Sequence, residues 1–303
     1  MRGVAVAVIA AALALGGRPA RAQELEPRAY SPSPVGTNFV VIAYNTLSGA
    51  VLFDPSVPIT NAQADIDVLT AGYGRSFGLW GRQGLVTVAL PYAAGHVEGD
   101  VAEVSRRVRR SGFGDMRVKA SLNILGVPAM RPGEFVKAPR RTIFGASVTV
   151  QAPVGEYEPS KLINLGTNRW AVKPELGVSV PVGSWSLESY AGVWFFTKND
   201  AFYPGASTKR QDPVPALQLH VSYTFKSRAW VAIDGTWYGG GQTTIDDGPP
   251  SSRFDNTRYG ATVSIPVTKR QSIKLTTSQG ASARTGSDFD TYGLAWQMTW
   301  FDP

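Results

Sequence analysis

Large apolar side chains occupy every second place in the last stretch of the chain, at Tyr292, Leu294, Trp296, Met298 and Trp300, with Thr291, Gly293, Ala295, Gln297 and Thr299 between them. A period of two defines a strand with one greasy face and one small or polar face. The same alternation recurs along the sequence and predicts about twelve strands. They lie near 37–52, 63–78, 84–98, 113–126, 142–156, 169–182, 185–198, 213–225, 229–242, 254–267, 271–282 and 289–301. Many reach ten residues or more, whereas strands of soluble domains run five or six. A tilted strand needs about 9–11 residues to cross a bilayer.

The connections sort by length. Gly183-Ser184, Lys226-Ser227-Arg228, Thr268-Lys269-Arg270 and the residues around Gly81-Arg82 predict tight turns. Segments 99–112, 157–168, 199–212 and 243–253 predict longer polar loops. Short turns on one rim and loops on the other are the pattern of an antiparallel transmembrane barrel. Val127 to Arg141 is long where a short turn is expected and predicts an insertion on the inner rim. The hairpins test the parity. Closing Val182 on Trp185 sets Val180 opposite Leu187, with Ser179 opposite Glu188 on the other face. Closing Phe225 on Ala229 sets Val221 opposite Ile233, with His220 opposite Asp234. Apolar meets apolar and polar meets polar in each case. Prolines cannot donate to a ladder. Pro91, Pro153, Pro174, Pro181 and Pro266 are therefore expected at rims or bulges, and the sixth strand proper is expected to start near Glu175.

Which solvent the greasy face meets follows from four features. Trp and Tyr gather near strand ends, at Trp80, Tyr92, Trp170, Trp185, Tyr223, Trp230, Trp237, Tyr238, Tyr259 and Trp300; amphipathic rings form such girdles at membrane interfaces. Charges within strands fall on the opposite face, where they escape the roughly 2–4 kcal/mol penalty of a Lys or Arg at mid-depth in lipid. Loop lengths alternate. Thr291-x-Gly293-x-x-Trp296-x-Met298 resembles the terminal-strand signal read by the barrel-assembly machinery. The fold class expected is all-β: one antiparallel transmembrane barrel of about 12 strands.

Composition agrees. The 303-residue chain has 17% charged residues and no cysteine, so no disulfide frames it. Its first 22 residues predict a signal peptide: Arg2, an apolar run from Val4 to Leu15, and a small-x-small site at Ala20-Arg21-Ala22. The division expected is 1–22 signal peptide, 23–36 extended arm and 37–303 barrel, placed in the outer membrane of a Gram-negative bacterium after cleavage near Ala22. The arm, with Pro27, Pro32 and Pro34, is too short for a hatch domain.

The chemistry then belongs to the enclosed face. Small residues such as Gly145, Ser147, Gly177, Ser179, Gly260 and Ser278 leave room, and charges interrupt them. The expected lumen-lining set is Arg117, Lys119, Lys173, Glu175, Glu188, His220, Asp234, Arg258 and Lys274. Its cationic excess predicts a narrow pore with weak anion preference; the competing reading is a lumen closed by charge pairs. Inward Tyr190, Trp194, Phe196, Trp230 and Tyr238 would suit a greasy entry site or simple space-filling. His220, Asp234 and Ser222 share a face and form the one candidate catalytic set, as a barrel hydrolase, but no oxyanion donor accompanies them. No enzyme activity, cofactor or metal is expected. Acidic loops at Asp246-Asp247-Gly248 and Asp288-Phe289-Asp290 are weak Ca²⁺ candidates against a solvated reading. Arg106, Arg107, Arg109 and Arg110 are expected on an outer loop that meets lipopolysaccharide phosphates. Nucleic-acid binding is not expected; the partners are lipid, the assembly machinery and a small-molecule solute.

Three stretches carry a family likeness: Ser111-Gly112-Phe113-Gly114-Asp115, Leu162 to Trp170 followed by Lys173-Pro174-Glu175-Leu176-Gly177, and Leu25 to Pro32. Together they resemble the phenol meta-pathway degradation-like outer-membrane family, often labelled "transporter". The resemblance spans nearly the whole mature chain. It implies a β-barrel of the Gram-negative outer membrane, and its name comes from association with aromatic degradation, so a phenol-type solute does not follow.

Overall fold

The computed structural model describes residues 25–52, 59–101, 104–251, 253–282 and 286–302. The expected signal peptide lies outside them. In chain order the described elements are β1 (Thr37–Leu52), β2 (Thr60–Leu79), β3 (Arg82–Val101), β4 (Val104–Phe113), β5 (Met116–Leu125), α1 (Pro132–Phe135), β6 (Ile143–Ala152), β7 (Ala171–Val182) and β8 (Trp185–Phe196). There follow β9 (Asn199–Phe202), β10 (Ser207–Gln211), β11 (Val214–Thr224), β12 (Trp230–Gly240), β13 (Thr243–Ile245), β14 (Phe254–Pro266), β15 (Gln271–Ser282) and β16 (Gly286–Phe301).

Every barrel contact is antiparallel between neighbours. β1 pairs with both β2 and β16, which closes the sheet. β4 and β5 serve as one wall strand: β4 continues along the outer end of β3 and β5 along its inner end. Counted so, the barrel has twelve strands. The two hairpin registers expected from side-chain parity are present, with Val180↔Leu187 and Val221↔Ile233; the next hairpin follows the same rule, with Ser264↔Lys274.

The apolar rows point outward. Ile233 is 72% exposed and Leu176 66%. The charged and small rows point inward. A bilayer makes this inversion stable, because closure pairs each wall strand on both sides and leaves no edge in hydrocarbon. No helix of the described residues is long and apolar enough to cross a membrane.

Several expectations are corrected. The segment 99–112 is not a loop: β3 runs to Val101 and β4 starts at Val104, so the four arginines sit on a strand. Polar residues on both faces hid the alternation there. The register puts Arg107 opposite Glu98 and Arg109 opposite His96. Asp288 to Asp290 likewise belong to β16. β7 begins at Ala171, not Glu175, and holds Pro174 internally; its ladder to β8 is interrupted between Val172↔Phe195 and Glu175↔Gly192. Pro91 is not at a rim but lies within β3, level with the Gly114-Asp115 break between β4 and β5. A residue without an N–H weakens the ladder at that point, and the carbonyl of Pro91 instead accepts from the Gly114 N–H at 2.9 Å. Trp230 and Tyr238 are not girdle residues. Tyr238 is buried, and Trp230 takes Arg28 over its ring.

The inner insertion, 126–142, folds beneath the barrel. Its helix α1 is a single turn, and the Val35 N–H donates to Met130 O at 2.8 Å. On the outer side, β9, β10 and β13 make a small second sheet. The Asp115 carboxylate, at the β4–β5 break, gathers donors from Gln151, Gly155 and Thr167 and ties the outer loops to the wall.

A cation at mid-strand on the outer face should be costly. Ile233→Lys is expected to lower refolding stability in lipid by about 2–4 kcal/mol, measured by denaturant titration in vesicles; an unchanged midpoint would contradict the outward assignment.

Candidate functional site: the lumen and its arm

All nine charged residues expected on the enclosed face lie on inward rows of β5, β7, β8, β11, β12, β14 and β15. The structure brings several together as pairs. Lys173 is 3.1 Å from Glu175 and both are 1% accessible. Lys119 reaches Glu175 at 3.5 Å. His220 Nδ1 lies 2.6 Å from Asp234 Oδ1, and Thr262 Oγ1 donates to the other Asp234 oxygen at 3.2 Å. Arg258 donates to Ser278 and Thr291, and Arg117 to Gln151. Lys274 stands over the face of Trp230, 5.7 Å from the ring centre.

Sequence reasoning made 23–36 an extended arm too short for a hatch domain and assigned it no berth. Leu25 to Gly36 in fact runs inside the lumen. Leu25 lies against Gly260 on β14. Glu26 bonds Lys119 on β5 at 2.7 Å. The Arg28 N–H donates to Glu188 on β8 at 2.8 Å, while its guanidinium reaches Ser222 and Thr224 on β11 and stacks over Trp230. Tyr30 is the deepest anchor, 2% accessible, with Tyr190 edge-on at 5.1 Å and Ser147 Oγ at 3.1 Å. Gly145 and Gly177, cross-strand partners on β6 and β7, make its seat: a Cβ on either would come within 2.2 and 2.1 Å of the ring. Two glycines in register on an inward face were the available signal. Their partner lay over a hundred residues away in a segment with no period to read.

The arm divides the lumen into two walls. Against it, inward residues are sealed: Glu188, His220 and Asp234 in one row, Tyr190, Gln218 and Thr236 in the next, all at 5% accessibility or less. The opposite wall, formed by β15, β16, β1, β2 and β3, stays partly accessible. Its rows read Ser272, Gln297, Val41, Gly72, Ala89; then Lys274, Ala295, Ala43, Thr70, Pro91; then Thr276, Gly293, Asn45, Val68, Ala93. Apart from Lys274 and the amides Gln297 and Asn45, these side chains are small, apolar or hydroxylic. Farther out, Leu47, Ala64 and Phe289 form a buried apolar cluster at the end of the same wall.

The candidate catalytic set is not assembled. Ser222 is fully buried and its Oγ accepts from Arg28 Nε at 3.1 Å. Among the described residues His220 bonds Asp234 and makes no hydrogen bond to Ser222; its Nε2 is buried without a partner. Of the inward aromatics, Trp194 and Tyr238 pack in a buried cluster with Ala171, Val214 and Ala216 beneath the outer loops, and Phe196 joins it. Asp246 accepts from the Thr208 N–H at 2.7 Å, which fastens two outer loops. Among the described residues no group of three His, Cys, Asp or Glu side chains is placed to hold a metal ion.

A family model described as "Putative MetA-pathway of phenol degradation" matches residues 36–298. The chain belongs to this family. Among solved structures, an outer membrane channel from Pseudomonas putida F1 aligns with TM-score 0.74 at 20% identity, covering 91% of this chain and 100% of that one. The transport unit of the autotransporter AIDA-I from Escherichia coli aligns with TM-score 0.52 at 9% identity, covering 98% of each. At such identities the likeness is one of fold, and the fold is the outer-membrane barrel that the family resemblance implies. No curated protein matches.

Two outcomes test the arm. Gly177→Ala should unseat Tyr30 and expose the arm to added protease in detergent-purified protein, where the parent resists; equal resistance would contradict the seat. The Lys119 ammonium lowers the Glu26 carboxyl from 4.5 to about 2. A depressed carboxyl contributes docking stability that is full above its ordinary value and lost as pH falls through the depressed one. The docked arm should therefore hold from pH 7 to about pH 5 and loosen progressively between about pH 4.5 and pH 2, as read from the fluorescence of a dye placed on the arm.

Proposed function

We propose that the chain is an outer-membrane channel that passes small organic solutes along the wall its arm leaves bare. The observation that carries this is the asymmetry of the lumen: sealed rows where the arm packs, accessible rows of small side chains from β15 round to β3. A twelve-strand barrel is intermediate between eight strands, which fill themselves, and sixteen, which hold an aqueous pore. The arm narrows it further. Compounds up to the size of one aromatic ring suit a passage lined by Ala, Val, Thr and Gly. The P. putida protein's description as an outer membrane channel and the family's association with phenol degradation support this reading.

The surroundings follow the same reading. Lipid covers the exposed Ile, Leu and Trp rows. Arg107 and Arg109, on the parity of the lipid-facing Phe113, would meet lipopolysaccharide phosphates, with Glu98 and His96 beside them. The terminal β16 carries the signal for the barrel-assembly machinery, and cleavage near Ala22 frees the arm. The polar pairs of the sealed wall serve structure rather than turnover, so the protein is a channel and not an enzyme.

Planar-bilayer recording tests the proposal. The mature chain should give small discrete steps, and a form lacking residues 23–33 should give steps several-fold larger. Steps of equal size in the two forms, or none in either, would reject a passage shaped by the arm.

A further inference from the structure

The accessible wall ends at β15, and there one cation stands apart. Lys119 has Glu26 and Glu175, and Lys173 has Glu175. The Arg28 guanidinium has two hydroxyl oxygens. Lys274 forms no hydrogen bond or ion pair with any described residue; its contact is the Trp230 ring. The nearby acids are engaged elsewhere, Glu26 by Lys119 at 2.7 Å and Asp234 by His220 at 2.6 Å.

The surroundings of Lys274 are specific. Trp230 and Lys274 flank Ser264 on β14, one pair on each side. Arg28 lies over the same Trp230 ring, 4.5 Å from its centre. Two cations therefore converge on one aromatic ring at the inner half of the lumen. On the other side of Lys274 the ladder passes through Ala295, Ala43, Thr70 and Pro91, all small and partly accessible. An ammonium that borders an aromatic face and a shallow apolar shelf matches a molecule with one negative charge and a small apolar body. A bare halide would leave the shelf unused, and a neutral solute would leave Lys274 without a counter-charge.

We infer that Lys274, Trp230 and Arg28 form a binding site for small organic carboxylates within the lumen. The carboxylate meets Lys274 through a charge-assisted hydrogen bond, and the body lies along Ala295 and Ala43. This rests on the channel reading for its place in a passage, but binding itself does not need conduction. The site gives the narrow lumen a preference for organic anions over neutral compounds of the same shape.

The test is ¹⁹F NMR of 4-fluorobenzoate with the detergent-purified mature chain, with 4-fluorobenzyl alcohol as the neutral probe. Line broadening and a saturable shift are expected for the acid and not for the alcohol. Lys274→Gln should weaken acid binding at least about tenfold, Lys274→Arg should retain it, and Trp230→Leu should weaken it with the fold intact by circular dichroism. Should Lys274→Gln fail to fold, the Lys274→Arg and Trp230→Leu results decide. Equal binding of acid and alcohol, no binding of the acid, or acid binding unchanged in Lys274→Gln or Trp230→Leu would overturn the site. Conductance without acid binding would defeat this inference alone; acid binding without conductance would defeat the channel reading alone.

Discussion

Hydrocarbon offers no hydrogen bonds, and that single fact organises the molecule. Each backbone donor and acceptor at membrane depth needs a neighbour on the adjoining strand, so the sheet closes through β1 and β16. Closure fixes two faces with opposite solvents. The outer one takes Ile233, Leu176 and their neighbours at high exposure. The inner one inherits every charge that lipid refuses. An interior full of Lys, Glu, His and Asp would be costly if dry and unpaired. The pairs Lys173–Glu175 and His220–Asp234 and the polar contacts of the arm satisfy it.

The arm makes this interior one-sided, sealed where it packs and accessible opposite. It binds by the means found elsewhere in the wall: a carboxylate against Lys119, a backbone N–H on Glu188, and a tyrosine ring where two glycines leave space. Because the contacts of Leu25 to Tyr30 lie on β5 to β14, the middle of the β15–β3 sector is left bare; Ser33 and Pro34 meet Gln83 on β3 and Ser76 on β2 only at the inner end. The sealed wall is thus the more charged one and the bare wall the more apolar, with Lys274 at their junction.

The strands were legible because their code is local. Tyr292, Leu294 and Trp296 alternate with small residues, and Gly183-Ser184 sets one register without reference to anything distant. Where both faces meet water the code vanishes, which is why Val104–Phe113 reads as loop while folding as β4. Pro174 misleads for a related reason: its missing donor reads as a strand end, but the ladder to β6 runs through it at Val148↔Pro174. The inward charges could be listed from parity alone, yet their partners could not. Glu175 meets Lys119 across β6, and Glu26 comes from a segment with no period to place it. Ser222 shows the limit most clearly, since its apparent role beside His220 is taken over by Arg28, 194 positions away.

The arm joins β1 directly through Gly36 and Thr37, so it is leashed at the inner mouth. A leash of about a dozen residues keeps a detached segment at an effective concentration in the millimolar range. An unseated arm therefore does not diffuse away; it stays beside its own berth and reseats without a search through solution. Occlusion by this device is self-restoring, and its strength depends on tether geometry as much as on the contacts of Tyr30.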